Sequence, residues 1–263
     1  MDVKTLDFYI DRALAFFDKA GDYTLQLPDS KMTFVTGSQN GYHTGRVLYR
    51  FSGRPFVHDH EKLALTPGRM EPLVKSHAID DVSIVTASGS REAIDIADYV
   101  FRLNEIDPNL KVNAVVCKRG SSIEKKYGDR IRLVSVDGMD AAPEEAQTIN
   151  AATYGRMIKG VTHEKPAPIA DFVATLGQYE KELAGFDQFV LLLPDDMAEV
   201  AEMVDWKPTE LFGRQVGARS FYETHYTHGA GISEGDRELF IGLGVANHRF
   251  GKDSNRRLNI ATP

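Results

Sequence analysis

The stretch Thr86-Ala-Ser-Gly-Ser-Arg91 places three hydroxyls, a glycine and a cation within six residues. It follows an apolar run and precedes apolar residues at helical spacing, which predicts a strand–turn–helix unit. A helix start offers unpaired N–H donors and a partial positive charge, which favour an anion. The sequence therefore predicts a phosphate-binding loop formed by Thr86, Ser88, Gly89, Ser90 and Arg91. The alternative is that Ser88 or Ser90 serves only as a helix N-cap.

A second polar loop, Gly37-Ser-Gln-Asn-Gly41, follows another short strand-like run. Two glycines and short polar side chains permit a tight turn and ligand contacts, although they are also typical of an ordinary loop. Loops that follow neighbouring parallel strands lie at the same edge of the sheet, where ligands bind in such folds. We therefore place Ser38 in the same phosphate site.

The elements that must position these loops alternate between strands and helices. Runs at 82–86, 111–117 and 131–136 are apolar without strict alternation, which is typical of strands buried on both faces. Helical spacing recurs over 6–17, 44–51, 93–101 and 143–160, and again around 169–183. In the second half, 189–193 and 239–244 are predicted strands, 163–168 a linker, and Pro194-Asp-Asp196 the start of a helix. The pattern predicts an α/β fold with a parallel sheet flanked by helices.

Composition excludes several classes of protein. The 263 residues carry a net charge of −7, which disfavours non-specific nucleic-acid binding. Apolar runs are far shorter than the ~20 residues of a membrane span, and Met1-Asp-Val-Lys4 does not begin a signal peptide. The one cysteine, Cys117, lies in an apolar run and is interpreted as a buried small hydrophobe. We expect a cytoplasmic protein.

The first half resembles the SIS (sugar isomerase) phosphosugar-binding family over residues 30–160. The family's second loop reads S-x-S-G-x-T, and Thr86-Ala-Ser-Gly-Ser-Arg91 matches it except that Arg91 stands where threonine is usual. Ser121 and Asp129 stand where the family has a serine and an aspartate after the fourth strand. The stretch from Gln147 to Gly160 resembles the helix after the fifth strand.

The second half resembles a smaller, degenerate SIS domain, so the resemblance implies domains at 1–162 and 163–263. Phe221-Tyr-Glu-Thr-His-Tyr-Thr-His-Gly229 is similar to the family's E-x-x-H-G segment. Aligning His228 with the family's histidine puts His225 in the position of the catalytic glutamate, and Glu223 lies two residues earlier. The strand before Pro194 ends in two aspartates, which would repel a phosphate, so we infer one phosphate site per chain.

The resemblance implies aldose–ketose isomerisation of a sugar phosphate through an enediol. Glu223 would carry the proton between C1 and C2, and His228 or His225 would open the sugar ring. Glu144 and Glu145 are rival bases. No cofactor is expected. Because members of the family commonly form dimers or higher oligomers, the resemblance implies a homo-oligomer. The alternative is a non-catalytic sugar-phosphate sensor. A third reading is a nucleotide-binding domain.

A metal site is not expected. His58-Asp-His60 would place two imidazoles on one face of a strand, but no third ligand is near in sequence. Surface or loop histidines are the preferred interpretation.

Overall fold

Apolar runs form the strands of two parallel sheets, one in each of two compact units, Met1–Glu164 and Lys165–Pro263. The computed structural model describes residues 11, 14–15, 23–59, 66–89, 91–117, 120–135, 146–197, 199, 201, 203–205, 216–222, 237–251 and 254–262. Most of the helix predicted over 6–17 therefore lies outside the described residues. Among the helices that are described, none has the length and apolar character needed to cross a membrane.

The first unit contains a five-stranded sheet, ordered β2-β1-β3-β4-β5, in which every pairing is parallel. Its strands are β1 (Thr33–Gly37), β2 (Phe56–His58), β3 (Asp81–Val85), β4 (Lys111–Val116) and β5 (Arg132–Ser135). Its helices are α1 (Asn40–Phe51), α2 (Thr66–Lys75), α3 (Arg91–Leu103), α4 (Ser122–Tyr127) and α5 (Ala146–Thr162). The strands predicted near 82–86, 111–117 and 131–136 are confirmed, and so is the short strand-like run before Gly37.

Alternate residues of each strand enter two separate apolar clusters, one on each face of this sheet. Phe34 packs in the cluster that also contains the apolar side chains of α2 and α3. Its neighbour Val35 packs in the cluster that contains residues of α1 and α5. Because both faces are covered, the strands need apolar residues at odd and even positions alike, which explains their lack of alternation.

One hydroxyl pair ties α1 to the centre of the sheet. Tyr49 is fully buried, and its phenol oxygen lies 2.5 Å from the hydroxyl oxygen of Ser83 on β3. Burial raises the pKa of the Tyr49 phenol to about 12, against the lowering effect of this hydrogen bond. The phenol therefore stays neutral in the folded protein at pH values where an exposed tyrosine ionises.

The second unit contains a four-stranded parallel sheet, ordered β7-β6-β8-β9. Its strands are β6 (Gln188–Leu193), β7 (Gly217–Tyr222), β8 (Glu238–Leu243) and β9 (Arg257–Ile260). Helices α6 (Pro166–Thr175) and α7 (Glu180–Leu183) precede the sheet, joined by a 3₁₀ turn. Phe172, Leu176 and Leu183 from this helical segment pack on one face of the sheet.

Two expectations for the second half need correction. The predicted linker at 163–168 ends early, because Pro166 begins α6 as a proline at the first helical position. The tail from Asn247, which its polar sequence predicts to be a loop or a short helix, contains strand β9, in which Leu258 and Ile260 point to the core while Asn259 is exposed. The helix predicted from Pro194 is confirmed in the described residues, where the 3₁₀ turn Asp195–Met197 is followed by helical residues at 199, 201 and 203–205.

We predict that Tyr49→Phe changes how the free energy of unfolding depends on alkaline pH. The raised folded pKa means that stability is present below pH 10 and falls as pH rises from 10 towards 12. The wild-type protein should therefore lose about 1 kcal/mol more than Tyr49→Phe between pH 9 and pH 11, measured by urea unfolding. Ser83→Ala removes the hydrogen bond but keeps the phenol, so it should retain the alkaline loss. Parallel curves for wild type and Tyr49→Phe would contradict this account.

Candidate functional site

The loop after β1 lies against the end of β3 at van der Waals distance. A Cβ on Gly37 would lie 2.5 Å from the carbonyl oxygen of Val85, and a Cβ on Gly41 would strike the same oxygen. Only glycine permits this approach. Between them, Gln39 adopts φ 45° and ψ −119°, a sparsely populated conformation for a residue with a side chain. Strained backbone of this kind is found where surrounding structure holds a loop in a fixed shape.

The loop after β3 is a tight turn, closed by a hydrogen bond to the hydroxyl of Thr86. The N–H of Gly89 donates to the buried hydroxyl oxygen of Thr86 at 3.2 Å, and Gly89 has φ 64°. Because Thr86 accepts this bond, its own O–H proton remains available for another acceptor. Ser88 is exposed at the turn, Ser90 lies outside the described residues, and the exposed Arg91 begins α3.

The loop after β4 joins the same edge through Ser121. Ser121 is buried, and its hydroxyl caps α4 by accepting from the N–H of Glu124 at 3.4 Å. The same hydroxyl oxygen lies 3.2 Å from the position that a Cβ on Gly89 would occupy. The N–H of Ile123 donates to the carbonyl of Gly89 at 3.1 Å. The serine implied by the family resemblance therefore contacts the predicted phosphate loop. Asp129 does not, because it is exposed in the turn before β5 begins, at the opposite edge.

The structure thus brings two predicted loops to adjacent strand ends. Gly37 pairs with Val85, so the loops that carry Ser38 and Thr86 leave the sheet at the same level. The predicted catalytic residues, Glu223, His225 and His228, lie outside the described residues.

The sequence pattern does not identify several buried polar residues of α1 and α5. Tyr42 and His43, in the first turn of α1, are 4% and 1% exposed, and their rings lie 4.9 Å apart. The hydroxyl of Tyr154 on α5 lies 3.5 Å from where a Cβ on Gly41 would be. The available signal was the pair of glycines four residues apart, Gly41 and Gly45, which predicts a closely packed helix face.

The His58-Asp-His60 segment has a structural role in its described part. The fully buried carboxylate of Asp59 accepts hydrogen bonds from the hydroxyls of Thr36, at 3.0 Å, and Thr66. The Nδ1 of His58 lies 3.0 Å from the Tyr42 hydroxyl. Asp59 therefore anchors the end of β2 and the start of α2 to β1. No cluster of three or more metal-ligating side chains occurs among the described residues.

Cys117 is a buried apolar-type residue, as the sequence predicts. Its side chain is 3% exposed and packs in the cluster with α1 and α5. Burial raises the pKa of its thiol to about 12, which keeps it protonated and unreactive at neutral pH.

The carboxyl edge of the second sheet offers a different environment. A cavity of about 350 Å³ there is lined by Gly244, Val245, Ala246, Asn259, Ile260, Ala261 and Thr262. These residues supply backbone groups, one amide and one hydroxyl but no cation. This cavity is therefore less suited to an anion than the loop that precedes Arg91.

The fold resembles those of several solved structures. Tagatose-6-phosphate ketose/aldose isomerase from Escherichia coli matches with a TM-score of 0.61 and 13% identity over 95% of this chain and 71% of that chain. A candidate sugar-binding protein from Salmonella typhimurium matches with a TM-score of 0.61 and 12% identity, covering 99% and 87%. Glucosamine-6-phosphate deaminase from Thermotoga maritima matches with a TM-score of 0.50 and 12% identity, covering 94% and 77%.

These likenesses confirm the SIS-like α/β fold that the loop sequences predict. No protein-family model matches the chain, and no curated protein matches it in sequence. At these identities, what is shared is the fold.

We predict that Gly89→Ala destabilises the protein more than Gly53→Ala. Both glycines have φ near +65°, so both substitutions incur the left-handed backbone penalty. A Cβ on Gly89 would also lie 2.7 Å from Ile123 Cγ2, whereas nothing lies within 4 Å at Gly53. The free energy of unfolding, from urea titration, should fall by at least about 1 kcal/mol more for Gly89→Ala. Equal losses of unfolding free energy in the two variants would show that the loop after β3 shifts to accommodate the added Cβ without cost.

Proposed function

We propose that this chain binds a phosphorylated sugar at the carboxyl edge of the first sheet and interconverts its aldose and ketose forms. The observation that carries the proposal is the packing of two glycine-containing loops, after β1 and β3, beside the start of α3. Such an arrangement concentrates N–H and O–H donors at a positive helix terminus, which suits a phosphate.

The phosphate would be held mainly by groups of the loop after β3. The hydroxyl oxygen of Thr86 accepts from the N–H of Gly89, and this bond does not use the hydroxyl proton. That proton can therefore be donated to a phosphate oxygen. Ser88 and Ser90 would add hydroxyl donors, and Ser38 would contribute from the neighbouring loop. Arg91 would supply the positive charge at the first residue of α3, where its side chain is exposed.

Isomerisation then requires a base and a group that opens the sugar ring. Glu223 would take the proton from C2 of the open-chain aldose, and protonation of the C1 oxygen would give the enediol. Return of the proton to C1, with loss of the proton of the C2 hydroxyl, would then give the ketose. His228 or His225 would assist ring opening. Proton transfer between adjacent carbons involves no net oxidation of the substrate, so it needs no redox cofactor. The ketose/aldose isomerase among the solved structures of like fold supports this reaction class.

A non-catalytic sugar-phosphate sensor is the second candidate. It is favoured by His225, which stands where the E-x-x-H-G segment has its glutamate, and by Asp195 and Asp196 after β6. A sensor needs the phosphate loop but not the proton-transfer residues.

For either candidate, we infer a homo-oligomer in the cytoplasm. The oligomer follows from the family resemblance alone. The compartment is supported by the one cysteine, whose buried thiol suits a reducing environment.

We predict that Arg91→Ala weakens sugar-phosphate binding about tenfold, because it removes a charge-assisted contact. Arg102→Ala is the matched control, since Arg102 lies in the last turn of the same helix. Calorimetric titration with a panel of hexose, pentose and amino-sugar phosphates would give both affinities. Equal effects of the two variants would argue against a phosphate at the start of α3.

We predict that the wild-type protein exchanges the C1 or C2 proton of one sugar phosphate with deuterium in heavy water, as seen by proton NMR. Glu223→Gln should abolish exchange and leave line broadening by bound ligand, whereas Glu180→Gln, an exposed control, should retain exchange. Broadening without exchange in the wild type would contradict isomerisation and favour the sensor. No effect from any sugar phosphate would contradict the phosphate site.

A further inference from the structure

A cavity of about 340 Å³ lies at the amino edge of the first sheet, where β3, β4 and β5 begin. Its lining includes residues from all three strands and from the turn after α3. Strand β3 runs from Asp81 in this cavity to Val85 beside the phosphate loops, so the two sites lie at opposite ends of the strand. At ~3.3 Å per residue, the four steps from Asp81 to Val85 separate them by roughly 13 Å.

Three cations line this cavity: Lys111, Arg130 and Arg132. All three are exposed, and none forms an ion pair with a carboxylate in the described part of the chain. The guanidinium of Arg130 lies 4.2 Å from the ring centre of Phe101, which orients it along the cavity wall. The three basic side chains therefore outnumber Asp81, the one carboxyl of the lining that has no basic partner among the described residues.

The acidic groups nearby do not cancel that charge. Asp29 lies on the rim but pairs with Arg54 at 3.0 Å. The carboxylate of Asp80 acts on Lys111 at longer range and accepts the backbone N–H groups of residues 31 and 32. An anion in the cavity would thus contact cations that form no ion pair with a carboxylate in the described part of the chain.

The cavity also contains a buried hydrogen-bond acceptor with unmet capacity. The Oδ1 of Asn104 is buried and has no hydrogen-bond partner among the described residues. The buried carboxyl of Asp81 differs, because hydrogen bonds from the side chains of Thr33, Asn113 and Ser30 lower its pKa against the raising effect of burial. Buried polar atoms without partners are rare in folded proteins, so a ligand that donates to Asn104 would be favoured.

We infer that this cavity is a second binding site, for a small anion that also carries hydroxyl groups, such as a sugar phosphate or a sugar acid. The cations would hold the anionic group, and a ligand hydroxyl would donate to Asn104. A purely anionic ligand would leave that acceptor without a partner, and a neutral sugar would leave the cations without an anion. The volume matches the lower range of small-molecule sites, which suits a ligand of hexose phosphate size.

Amide NMR of the whole chain tests the site with four probes: glucose 6-phosphate, gluconate, glucose and sulfate. Both hydroxylated anions should shift the amide signals of Lys111 and Arg132 in a saturable way. Sulfate should bind at least tenfold more weakly, and glucose should cause no shift. The amides of Gly41 and Gly89 report the phosphate loops separately.

Two variants and a control isolate the cavity. Arg130→Ala/Arg132→Ala should weaken both hydroxylated anions at least tenfold, whereas Arg69→Ala, an exposed arginine on α2, should not. Asn104→Ala should weaken the hydroxylated anions several-fold and leave sulfate unchanged. Shifts confined to Gly41 and Gly89, absence of shifts at Lys111 and Arg132, or equal losses in Arg69→Ala would each overturn the inference. Because the loop amides are read in the same spectra, failure here is distinct from failure of the phosphate site.

Discussion

The first unit depends on how closely α1 approaches the end of β3. Gly37, Gly41 and Gly45 recur every four residues, and a Cβ on any of them would press on Val85. Their lack of side chains lets the loop and the first two turns of α1 lie directly on the strand end. A larger residue at these positions would lift the helix from the sheet. The glycine row therefore sets the height of α1 above the sheet, and with it the position of the Ser38 loop.

That approach also accounts for the unusual polarity of the buried face of α1. A helix held this close carries polar side chains into the interior, and two of its tyrosines have hydrogen-bond partners there. Tyr49 meets Ser83 on β3, and Tyr42 meets His58 at the end of β2. The buried carboxylate of Asp59 fixes the neighbouring strand end through two hydroxyls. Directional hydrogen bonds, as well as apolar packing, thus hold in place the helix and strand ends that carry the loop at the carboxyl edge.

The strands of the first sheet and its two loops could be predicted because their signal is local. A strand buried on both faces is a short apolar run, and a loop at its end is a cluster of glycine and hydroxyl residues. Strand β7 could not be predicted in this way, since Gly217–Tyr222 mixes charged, small and aromatic residues and none of it is fully buried. Strand β9 alternates over only four residues. The contacts of Ser121 with Gly89, and of Tyr154 with the first loop, depend on packing between distant segments, which no local pattern records.

The two edges of the first sheet differ in charge for a common physical reason. Helix α3 begins at the carboxyl edge, where its N–H groups present partial positive charge, so hydroxyls, glycines and one arginine suffice to attract an anion. The same helix ends near the amino edge, where its carbonyls present partial negative charge. An anion can be held there only if side chains supply more positive charge than the helix terminus removes. Lys111, Arg130 and Arg132 supply positive charge at the amino edge, against the half charge of the helix terminus and the carboxyls of Asp80 and Asp81.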